Sequence, residues 1–489
     1  MHRKIVCIVL SAALALGFAS CKKDAWIPSW FESPRAVAWQ EIRAKAGDTR
    51  LATLTKKEAL DDLDAFRYLI ETSYAGYEYQ KKFNHVDFGK NFRRAAARIR
   101  HYKDDAIPSG EFAKIIANTL KGERDGHFCV DGKYLPYQHE AFYRTEITVS
   151  KRDGKLVVDS SSVPGVTVGD QYRDSRKRLF RVWSAEGERY RVGTLSTGEL
   201  SNLSLKIGKG RIRVPVSSIS ETPPAAIGNV RWSFEGDIAY LRIPSFCAAD
   251  DTDIVSVTGK KRLEEIADRI RELPNAKIAI IDLRDNLGGY NGTAAAIPAA
   301  VFNRPWYNFA PATAALSSPG VAQAQVGGFW DLGNGDDTSR LNRKAWQIEA
   351  DNQKARPRRF WTRAITRTDS IKPVETEKRL IIVINRRSAS ASELICACRY
   401  IPGVTIVGEN SAGAMYFTDT LPYYLPHSGI GIMIPSSFNF DLSYSAGEGT
   451  GVLPDYWASD GELETTIRGI TGEAGFSIPG SEASKLPTP

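Results

Sequence analysis

A cluster of serines follows an apolar stretch in the carboxy-terminal half of the chain. Residues 385–393 read Asn-Arg-Arg-Ser-Ala-Ser-Ala-Ser-Glu, between a buried-strand pattern at 380–384 and a helical pattern at 393–400. Side chains at such a strand-to-helix turn lie at the carboxyl end of a sheet, where ligands bind. The free N–H groups at the start of the helix can stabilise an oxyanion. The segment therefore suits a serine nucleophile, although serines here are also common helix caps, and the segment by itself favours a cap.

A second segment, 282–289, also closes an apolar strand and reads Asp-Leu-Arg-Asp-Asn-Leu-Gly-Gly. Gly288 and Gly289 allow the backbone to approach another group closely and to adopt a positive φ. One of their N–H groups is then a candidate to face a substrate carbonyl. A tight strand-to-helix turn explains the pair equally well when the segment is taken alone.

Two titratable side chains lie in short motifs far from the serines. His127 follows Arg-Asp-Gly, and Glu448 begins the segment Glu-Gly-Thr-Gly-Val-Leu-Pro-Asp. A neutral imidazole near its usual pKa is the natural base for a hydroxyl at neutral pH. Taken singly, each residue is better explained as structural, a surface or core histidine and a turn carboxylate. None of the six histidines lies at metal-ligand spacing to the six cysteines, so the sequence predicts no metal site.

The order of these motifs resembles the serine peptidase family that includes tricorn core protease and the C-terminal processing proteases. The resemblance rests on Asp-Leu-Arg-x-Asn-x-Gly-Gly, then Ser-Ala-Ser-Ala-Ser-Glu about a hundred residues later, then Val-Gly-Glu, and it spans 236–455. It implies an α/β fold with a Clp-protease/crotonase-like core. It also implies that Ser390 is the nucleophile. The N–H of Ala391, with that of Gly288 or Gly289, would form the oxyanion hole.

This family has two catalytic plans, and the chain fits one of them. Processing proteases place a lysine base after the Gly-Glu turn, where this chain has Met415, and no lysine lies between Lys378 and Lys485. Tricorn-like members carry a histidine base in an Asp-Ser-His or Asp-Gly-His motif ahead of the core, which 125–127 matches. The resemblance therefore implies His127 as the general base of an acyl-enzyme mechanism that needs no cofactor.

The third member of the implied triad is a glutamate. Tricorn-like members place it shortly before a Gly-x-x-Pro-Asp segment, and Glu448 matches that position. In tricorn a serine beside the histidine bridges to this glutamate, whereas the present chain has Gly126. Orientation of the histidine then needs a direct contact, a water or another hydroxyl. Asp125 is a second candidate for the orienting carboxylate.

The whole chain has the composition of a globular protein of two or three domains. It has 489 residues, of which 42% are hydrophobic and 25% are charged. Helical periodicity follows a Thr-x-x-Glu capping box, short alternating strands come next, and strands then alternate with helices. A Gly-Asp turn in the β-rich part resembles that of PDZ domains. The predicted order is an N-terminal helical region (48–135), a β-rich, PDZ-like domain (136–225), the peptidase core (226–471) with an insertion over the site (302–377), and a flexible tail (472–489).

The N-terminus has the features of a bacterial lipoprotein signal. Basic residues precede the apolar run 5–18, and Phe-Ala-Ser-Cys at 18–21 resembles a lipobox. This pattern predicts a signal peptide over 1–20, a lipid on the Cys21 thiol and a tether over 21–47. The chain would then be exported and lipid-anchored in the cell envelope, at the outer membrane or the periplasmic face. Plain secretion, with Cys21 an ordinary residue, is the alternative.

The predicted partners are peptides or unfolded proteins, together with the membrane that holds the lipid. The net charge is +8, but the basic residues are scattered and form no recognisable nucleic-acid-binding module, so no nucleic-acid partner is predicted. The sequence leaves the oligomeric state open. Two rival functions stay open as well. One is a catalytically silent relative that binds peptides or a hydrophobic ligand, and the other is an acyl hydrolase for thioesters or esters.

Overall fold

The computed structural model describes residues 34–45, 50–135, 139–218, 227–248, 257–304, 313–327, 337–365, 377–439 and 444–479. The helices found there are α1 (Lys56–Ser73), α2 (Tyr77–Phe83), α3 (Phe88–Arg100), α4 (Ser109–Asn118), α5 (Val257–Glu272), α6 (Asn291–Phe302), α7 (Pro319–Val326), α8 (Asp337–Ala355), α9 (Ala391–Ile395) and α10 (Leu463–Thr471). The strands found there are β1 (Arg35–Ala36), β2 (Thr53–Thr55), β3 (Ala106–Pro108), β4 (Cys129–Val130), β5 (Lys133–Tyr134), β6 (Ala141–Arg152), β7 (Lys155–Ser161), β8 (Leu179–Ser184), β9 (Gly187–Ser196), β10 (Asn202–Ile207), β11 (Gly210–Pro215), β12 (Ser217–Ser218), β13 (Arg231–Glu235), β14 (Ile238–Arg242), β15 (Ile278–Asp282), β16 (Thr313–Ser317), β17 (Arg358–Ile365), β18 (Arg379–Ile384), β19 (Val404–Gly408), β20 (Phe417–Tyr424), β21 (Gly431–Asn439) and β22 (Tyr456–Trp457).

Two compact units contain these elements, and each unit is built from three separate stretches of the chain. The first unit takes Met1–Tyr137, Pro311–Arg367 and Ala414–Asp441, and the second takes the rest. This grouping differs from the consecutive order of domains that the sequence predicts. The reason is strand pairing, because β16, β17, β20 and β21 pair with β1 and β4 in one sheet.

The first unit is built on a seven-stranded sheet in the order β1-β17-β16-β21-β4-β5, with β20 also paired to β21. Every pair in it is antiparallel. The stretch predicted as an insertion, 302–377, supplies β16 and β17 to this sheet. These two strands therefore belong to the hydrogen-bonded framework of the first unit.

Helix α1 shows why the N-terminal region folds as the sequence predicts. Its capping box is present, since the Glu58 N–H donates to Thr55 Oγ1 (3.2 Å) and the Thr55 N–H donates to Glu58 Oε2 (2.8 Å). Its apolar residues Leu63, Phe66 and Ile70 recur at helical spacing and are buried. They share a hydrophobic core with residues of α3, α4, β20 and β21. The predicted helical character of this region is confirmed.

The second unit contains an all-β module. Its strand β6 pairs with β7, β9 and β12, while β8 pairs with β9 and β10 forms a hairpin with β11, all antiparallel. The Gly-Asp turn is closed by a hydrogen bond from the Thr167 N–H to Asp170 Oδ2 (2.9 Å). Such a turn occurs in many β folds. The β-rich character is confirmed, and the likeness to a PDZ domain stays a prediction.

The same unit contains the α/β sheet, in the order β13-β14-β15-β18-β19-β22. Strand β13 is antiparallel to β14, and the other pairs are parallel. All five residues of β15 are buried, as expected for a central parallel strand. Because parallel strands end on the same edge, the segments that follow β15, β18 and β19 lie together there. The predicted α/β class is confirmed.

Two predicted segments at the chain ends have different outcomes. The tail predicted to be flexible from 472 onward begins with packed residues, because Phe476 and Ile478 are buried in the hydrophobic core of the α/β sheet. Their apolar side chains find partners there, which a free tail would not offer. The signal peptide and Cys21 lie outside the described residues, so these stay predictions.

Candidate active site

The two sequence motifs meet at the edge of the α/β sheet where β15 and β18 end. Asn286 joins them, since its carbonyl oxygen accepts from the Ala389 N–H (3.0 Å) and from the Ser392 hydroxyl (2.9 Å). Its side-chain amide donates to the Ile243 carbonyl (2.9 Å). Asn286 is fully buried, so these bonds are shielded from water. One asparagine thus holds the glycine-bearing loop against the serine-bearing loop.

A second set of hydrogen bonds ties the same two loops. The Ser388 hydroxyl donates to the Leu283 carbonyl (2.8 Å). The Asn385 side chain accepts from the Asp285 N–H (3.0 Å) and donates to Asp285 Oδ1 (3.1 Å). The loops are therefore fixed to each other on both sides of the predicted nucleophile.

Ser390 occupies the first position before α9 in a backbone conformation that is rare for serine. Its φ is 53° and its ψ is −117°. Its hydroxyl faces the Glu393 N–H in a capping-box arrangement, but the contact does not have the geometry of a hydrogen bond. Residues other than glycine reach this region at a cost of about 1–3 kcal/mol, and such strain concentrates at functional sites. The cap that the sequence favours is thus present as a capping-box arrangement, in which the Ser390 N–H donates to Glu393 and the hydroxyl forms no cap hydrogen bond.

Gly288 lies directly against Ser390. A Cβ built on Gly288 would lie 2.6 Å from Ser390 Cβ and 2.9 Å from the Ala391 nitrogen. The φ of Gly288 is 98°. The Gly288 N–H donates to Asn286 Oδ1 (2.8 Å). Among the described residues, the N–H groups of Gly289 and Ala391 donate to no acceptor. All three predicted oxyanion-hole residues thus lie on the two joined loops. The Gly288 N–H is already engaged by the Asn286 side chain.

Glu393 is a buried carboxylate that sequence analysis missed. It accepts hydrogen bonds from the Ser390 N–H (3.0 Å), from the Gly413 N–H (2.6 Å) and from the Ser411 hydroxyl. It is fully buried, so each bond to the charged carboxylate is strong. The Ser-x-x-Glu spacing of 390–393, a capping-box signature, could have revealed it.

The turn that contains Glu448 packs against the segment after β19. The Gly449 N–H donates to the Gly413 carbonyl (2.9 Å), and a Cβ on Gly413 would lie 2.5 Å from the Gly449 nitrogen. Glu448 is half-buried. Since Gly413 also contacts Glu393, the Glu448 turn and the Ser390 loop belong to one packed region of the second unit.

His139 is a second imidazole in the unit that contains Ser390, and no motif in the sequence points to it. Its Nδ1 lies 2.8 Å from the Ala412 carbonyl oxygen, and the Ala412 N–H donates to the Ser388 carbonyl (2.9 Å). Burial is the main cause that lowers its pKa, which the Ala412 hydrogen bond partly offsets. His139 therefore needs to be tested beside His127.

His127 lies in the first unit, on the short loop before β4. Its N–H donates to Asp125 Oδ1 (2.8 Å), so Asp125 holds the backbone of the loop rather than the imidazole. The Nδ1 atom is buried and has no hydrogen-bond partner among the described residues. Burial lowers the pKa of His127 to about 4. The ring is therefore neutral at neutral pH.

Other features of the described residues bear on the predicted chemistry. Cys129, Cys247, Cys396 and Cys398 are free thiols. Within the described ranges, no cluster of three or more His, Cys, Asp or Glu side chains is arranged to hold a metal ion. Over the same ranges, no helix combines the length and the apolar character needed to cross a bilayer.

Comparison with known proteins connects this site to a family. Residues 237–458 match the model of peptidase family S41, a range that includes both joined loops and the Glu448 turn. No curated protein matches the chain.

Several solved structures are similar over most of the chain. Mature CPAF has 16% identity and a TM-score of 0.42, covering 85% of this chain and 95% of its own. The photosystem II D1 C-terminal processing protease has 13% identity and a TM-score of 0.33, covering 85% and 97%. A putative peptidase from Parabacteroides merdae has 14% identity and a TM-score of 0.35, covering 86% and 96%. The match assigns residues 237–458 to peptidase family S41, and with it a peptidase function to the segment that contains Ser390 and Glu448.

Proposed function

We propose that the chain is a serine peptidase that hydrolyses peptide bonds through an acyl-enzyme on Ser390. The observation that carries the proposal is the backbone conformation of this residue, with a φ of 53° at the turn between β18 and α9. A hydroxyl held in a strained strand-to-helix turn is the arrangement of a nucleophile elbow. The adjacent Ala391 N–H has no acceptor among the described residues and supplies an oxyanion donor.

The proposed reaction uses His127 as the general base. His127 accepts the Ser390 hydroxyl proton while the oxygen attacks the carbonyl carbon of the scissile bond. The oxyanion binds to the N–H of Ala391 and to that of Gly288 or Gly289. Collapse of the tetrahedral intermediate breaks the C–N bond, and the leaving amine takes the proton from His127. Water then attacks the acyl-enzyme with His127 as base, releasing the carboxylic acid and restoring the hydroxyl.

Two properties of His127 support this role. Its lowered pKa, about 4, keeps the imidazole neutral and able to accept a proton at neutral pH. Its Nδ1 is buried without a partner in its own unit, a position that an orienting carboxylate fills in a catalytic triad. We propose Glu448 as that carboxylate. A negative charge there raises the pKa of the imidazole toward neutrality and strengthens it as a base.

The proposal is tested with the soluble form that lacks residues 1–21. A fluorophosphonate probe is expected to label Ser390 in the parent and to label nothing in Ser390→Ala. Peptide-library cleavage, followed by mass spectrometry, is expected to stop in Ser390→Ala and His127→Ala. The matched control is His101→Ala, an exposed histidine of the same unit. Retained cleavage in His127→Ala with loss in His139→Ala would assign the base to His139 instead.

The second candidate is a catalytically silent member that binds peptides at the cell envelope. One observation favours it: the Gly288 N–H already donates to Asn286 Oδ1, so one predicted oxyanion donor is occupied. Absence of probe labelling together with peptide binding would support this alternative. Turnover of acyl thioesters in preference to peptides would support a third candidate function, that of an acyl hydrolase for thioesters or esters.

We also propose that substrates are peptides or unfolded proteins and that a lipid on Cys21 anchors the chain in the bacterial cell envelope. The support is the N-terminal sequence pattern, with basic residues, an apolar run and Phe-Ala-Ser-Cys. Metabolic labelling with an alkyne fatty acid is expected to mark the full chain and to be lost in Cys21→Ser. Equal labelling of both would contradict the anchor.

A further inference from the structure

The loop that carries His127 rests on buried polar side chains that the proposed mechanism does not use. Tyr74, Gln80 and Asp125 are fully buried, and Glu123 is 8% exposed. All four meet at the Tyr74 hydroxyl, whose oxygen lies 2.6 Å from Glu123 Oε1, 2.9 Å from Asp125 Oδ2 and 3.2 Å from Gln80 Nε2. Buried polar atoms are costly unless each is paired, so the protons of this cluster can be assigned.

The assignment leaves one proton to be placed on a carboxyl group. A tyrosine hydroxyl donates one hydrogen bond and accepts two, whereas an amide N–H only donates. Gln80 Nε2 therefore occupies one acceptor site of the Tyr74 oxygen. The single Tyr74 proton goes to Glu123, because 2.6 Å is the length of a hydroxyl-to-carboxylate bond. Asp125 Oδ2 then needs a proton of its own to donate to the Tyr74 oxygen.

Asp125 and Gln80 also form hydrogen bonds to the backbone of the loop that carries His127. Asp125 Oδ1 accepts from the His127 N–H at 2.8 Å. Gln80 Nε2 donates to the Arg124 carbonyl (2.8 Å), and Gln80 Oε1 accepts from the Arg124 N–H (3.1 Å). The loop is therefore fixed on either side of Gly126 by side chains that also meet at Tyr74.

The position of the Tyr74 ring is itself enforced. A Cβ built on Gly76 would lie 2.3 Å from both Cζ and Oη of Tyr74. Only glycine at 76 leaves room for the ring. The Phe128 ring contacts the Tyr74 ring edge-on, with centroids 5.3 Å apart. The hydroxyl is thus held where the three polar side chains converge.

The charged and titratable groups around the cluster agree with a neutral Asp125. Burial raises the pKa of Asp125 to about 7 and raises that of Tyr74 well above its usual range. From β17, the buried Arg359 guanidinium donates to the Tyr74 carbonyl (3.4 Å). On the loop itself, Arg124 is exposed and the His127 ring is neutral.

We propose that Asp125 is a positioning residue that works as a neutral acid. Its proton completes the hydrogen-bonded chain from Asp125 through Tyr74 to Glu123, and this chain fixes the loop that presents His127. The inference rests on the proposed function to the extent that His127 is the base. Loss of the proton as pH rises would place two buried carboxylates at one hydroxyl and release the loop.

The test compares Asp125→Asn with Asp125→Ala, using probe labelling and melting temperature across pH 4–9. Asparagine can accept from the His127 N–H and donate to Tyr74 as the neutral acid does. Asp125→Asn is expected to label within about threefold of the parent at pH 6, and Asp125→Ala to lose tenfold or more, about the cost of a displaced base. The parent is expected to lose labelling above about pH 7. Asp125→Asn is expected to keep it.

Melting temperature gives a readout that needs no activity. The folded pKa of Asp125 is raised from 3.8 to about 7, so its contribution to stability is lost as pH rises over that range. The melting temperature of Asp125→Asn is expected to gain several degrees on the parent between pH 4 and pH 7. The exposed Asp64→Asn, the matched control, is expected to show no such gain. If even the parent fails to label, the proposed function fails, and the melting curves still decide the inference.

Two results would overturn the inference. One is an Asp125→Asn variant as impaired as Asp125→Ala in both labelling and melting temperature, since that would assign an ionised carboxylate to Asp125. The other is tolerance of Glu123→Gln combined with loss in Asp125→Asn, since that would place the proton on Glu123.

Discussion

Replacement of Gly288 by alanine gives the sharpest test of the geometry at Ser390. The new Cβ would lie 2.6 Å from Ser390 Cβ, 2.8 Å from the Ala389 oxygen and 2.9 Å from the Ala391 nitrogen, whereas ordinary contact begins at 3.4 Å. The two loops must therefore separate by about 0.8 Å at Ser390. Two of the three contacts are backbone atoms, which cannot rotate away.

The expected cost follows from this displacement. A misplacement near 1 Å at a reacting group costs ~100-fold in rate, which corresponds to about 2.7 kcal/mol. Alanine at a φ of 98° adds backbone strain of about 1–2 kcal/mol to folding. The matched control is Gly154→Ala, because Gly154 has a φ of 76° and no atom within 4 Å of an added Cβ. Both variants carry comparable backbone strain, and only Gly288→Ala pushes on Ser390.

The assay is the rate of fluorophosphonate labelling and kcat/KM for a peptide identified by library cleavage, with melting temperatures for both variants. Gly288→Ala is expected to lose ~100-fold relative to Gly154→Ala. Activity of Gly288→Ala within threefold of the control, at equal melting temperature, would refute the claim that close packing of the glycine loop positions Ser390.

Three further predictions follow from buried groups. Glu393→Gln is expected to lower the labelling rate ~10-fold or more, because an amide oxygen replaces the carboxylate that accepts from the Ser390 N–H. A labelling rate equal to that of the parent would contradict this prediction. The parent is expected to lose stability as pH falls from 6.5 to about 4, since an imidazole that is neutral in the folded state must be protonated on unfolding. His127→Gln is expected to flatten this loss, and unchanged slopes in pH-dependent denaturation would contradict the prediction. Arg284→Met is expected to destabilise the second unit by about 3–5 kcal/mol in urea denaturation. The reason is that Asp282, which is 1% exposed and lies 2.6 Å from the Arg284 guanidinium, loses its main partner. A loss under 1 kcal/mol would contradict this prediction.

Local sequence patterns were sufficient to predict individual helices and strands of the fold. The capping box at Thr55, the helical spacing of Leu63, Phe66 and Ile70, and the apolar strand β15 each depend on neighbours within a few residues. Such signals are written in consecutive residues, because helix and strand periodicity set which side chains face a core. The paired motifs also placed Ser390, Gly288 and Gly289 at strand ends, where the structure has them.

Long-range pairing decided the rest. No local signal indicates that Ala414–Asp441 leaves the α/β core, because the pairing of β20 and β21 with distant strands depends on the hydrogen bonds of the whole sheet. The same holds for Asn286, Glu393 and His139, whose roles depend on partners brought close only by the fold.

The sequence by itself determined the α/β class, the resemblance of its core segment to a peptidase family and the loops that carry Ser390, since each depends on residue types at short spacing. Only the tertiary structure decided that Ser390 has a positive φ, that Gly288 packs against it, and that Asp125 holds a backbone N–H rather than an imidazole. The physical reason is that φ, burial and the sharing of protons depend on atoms from distant parts of the chain, which no spacing along it records.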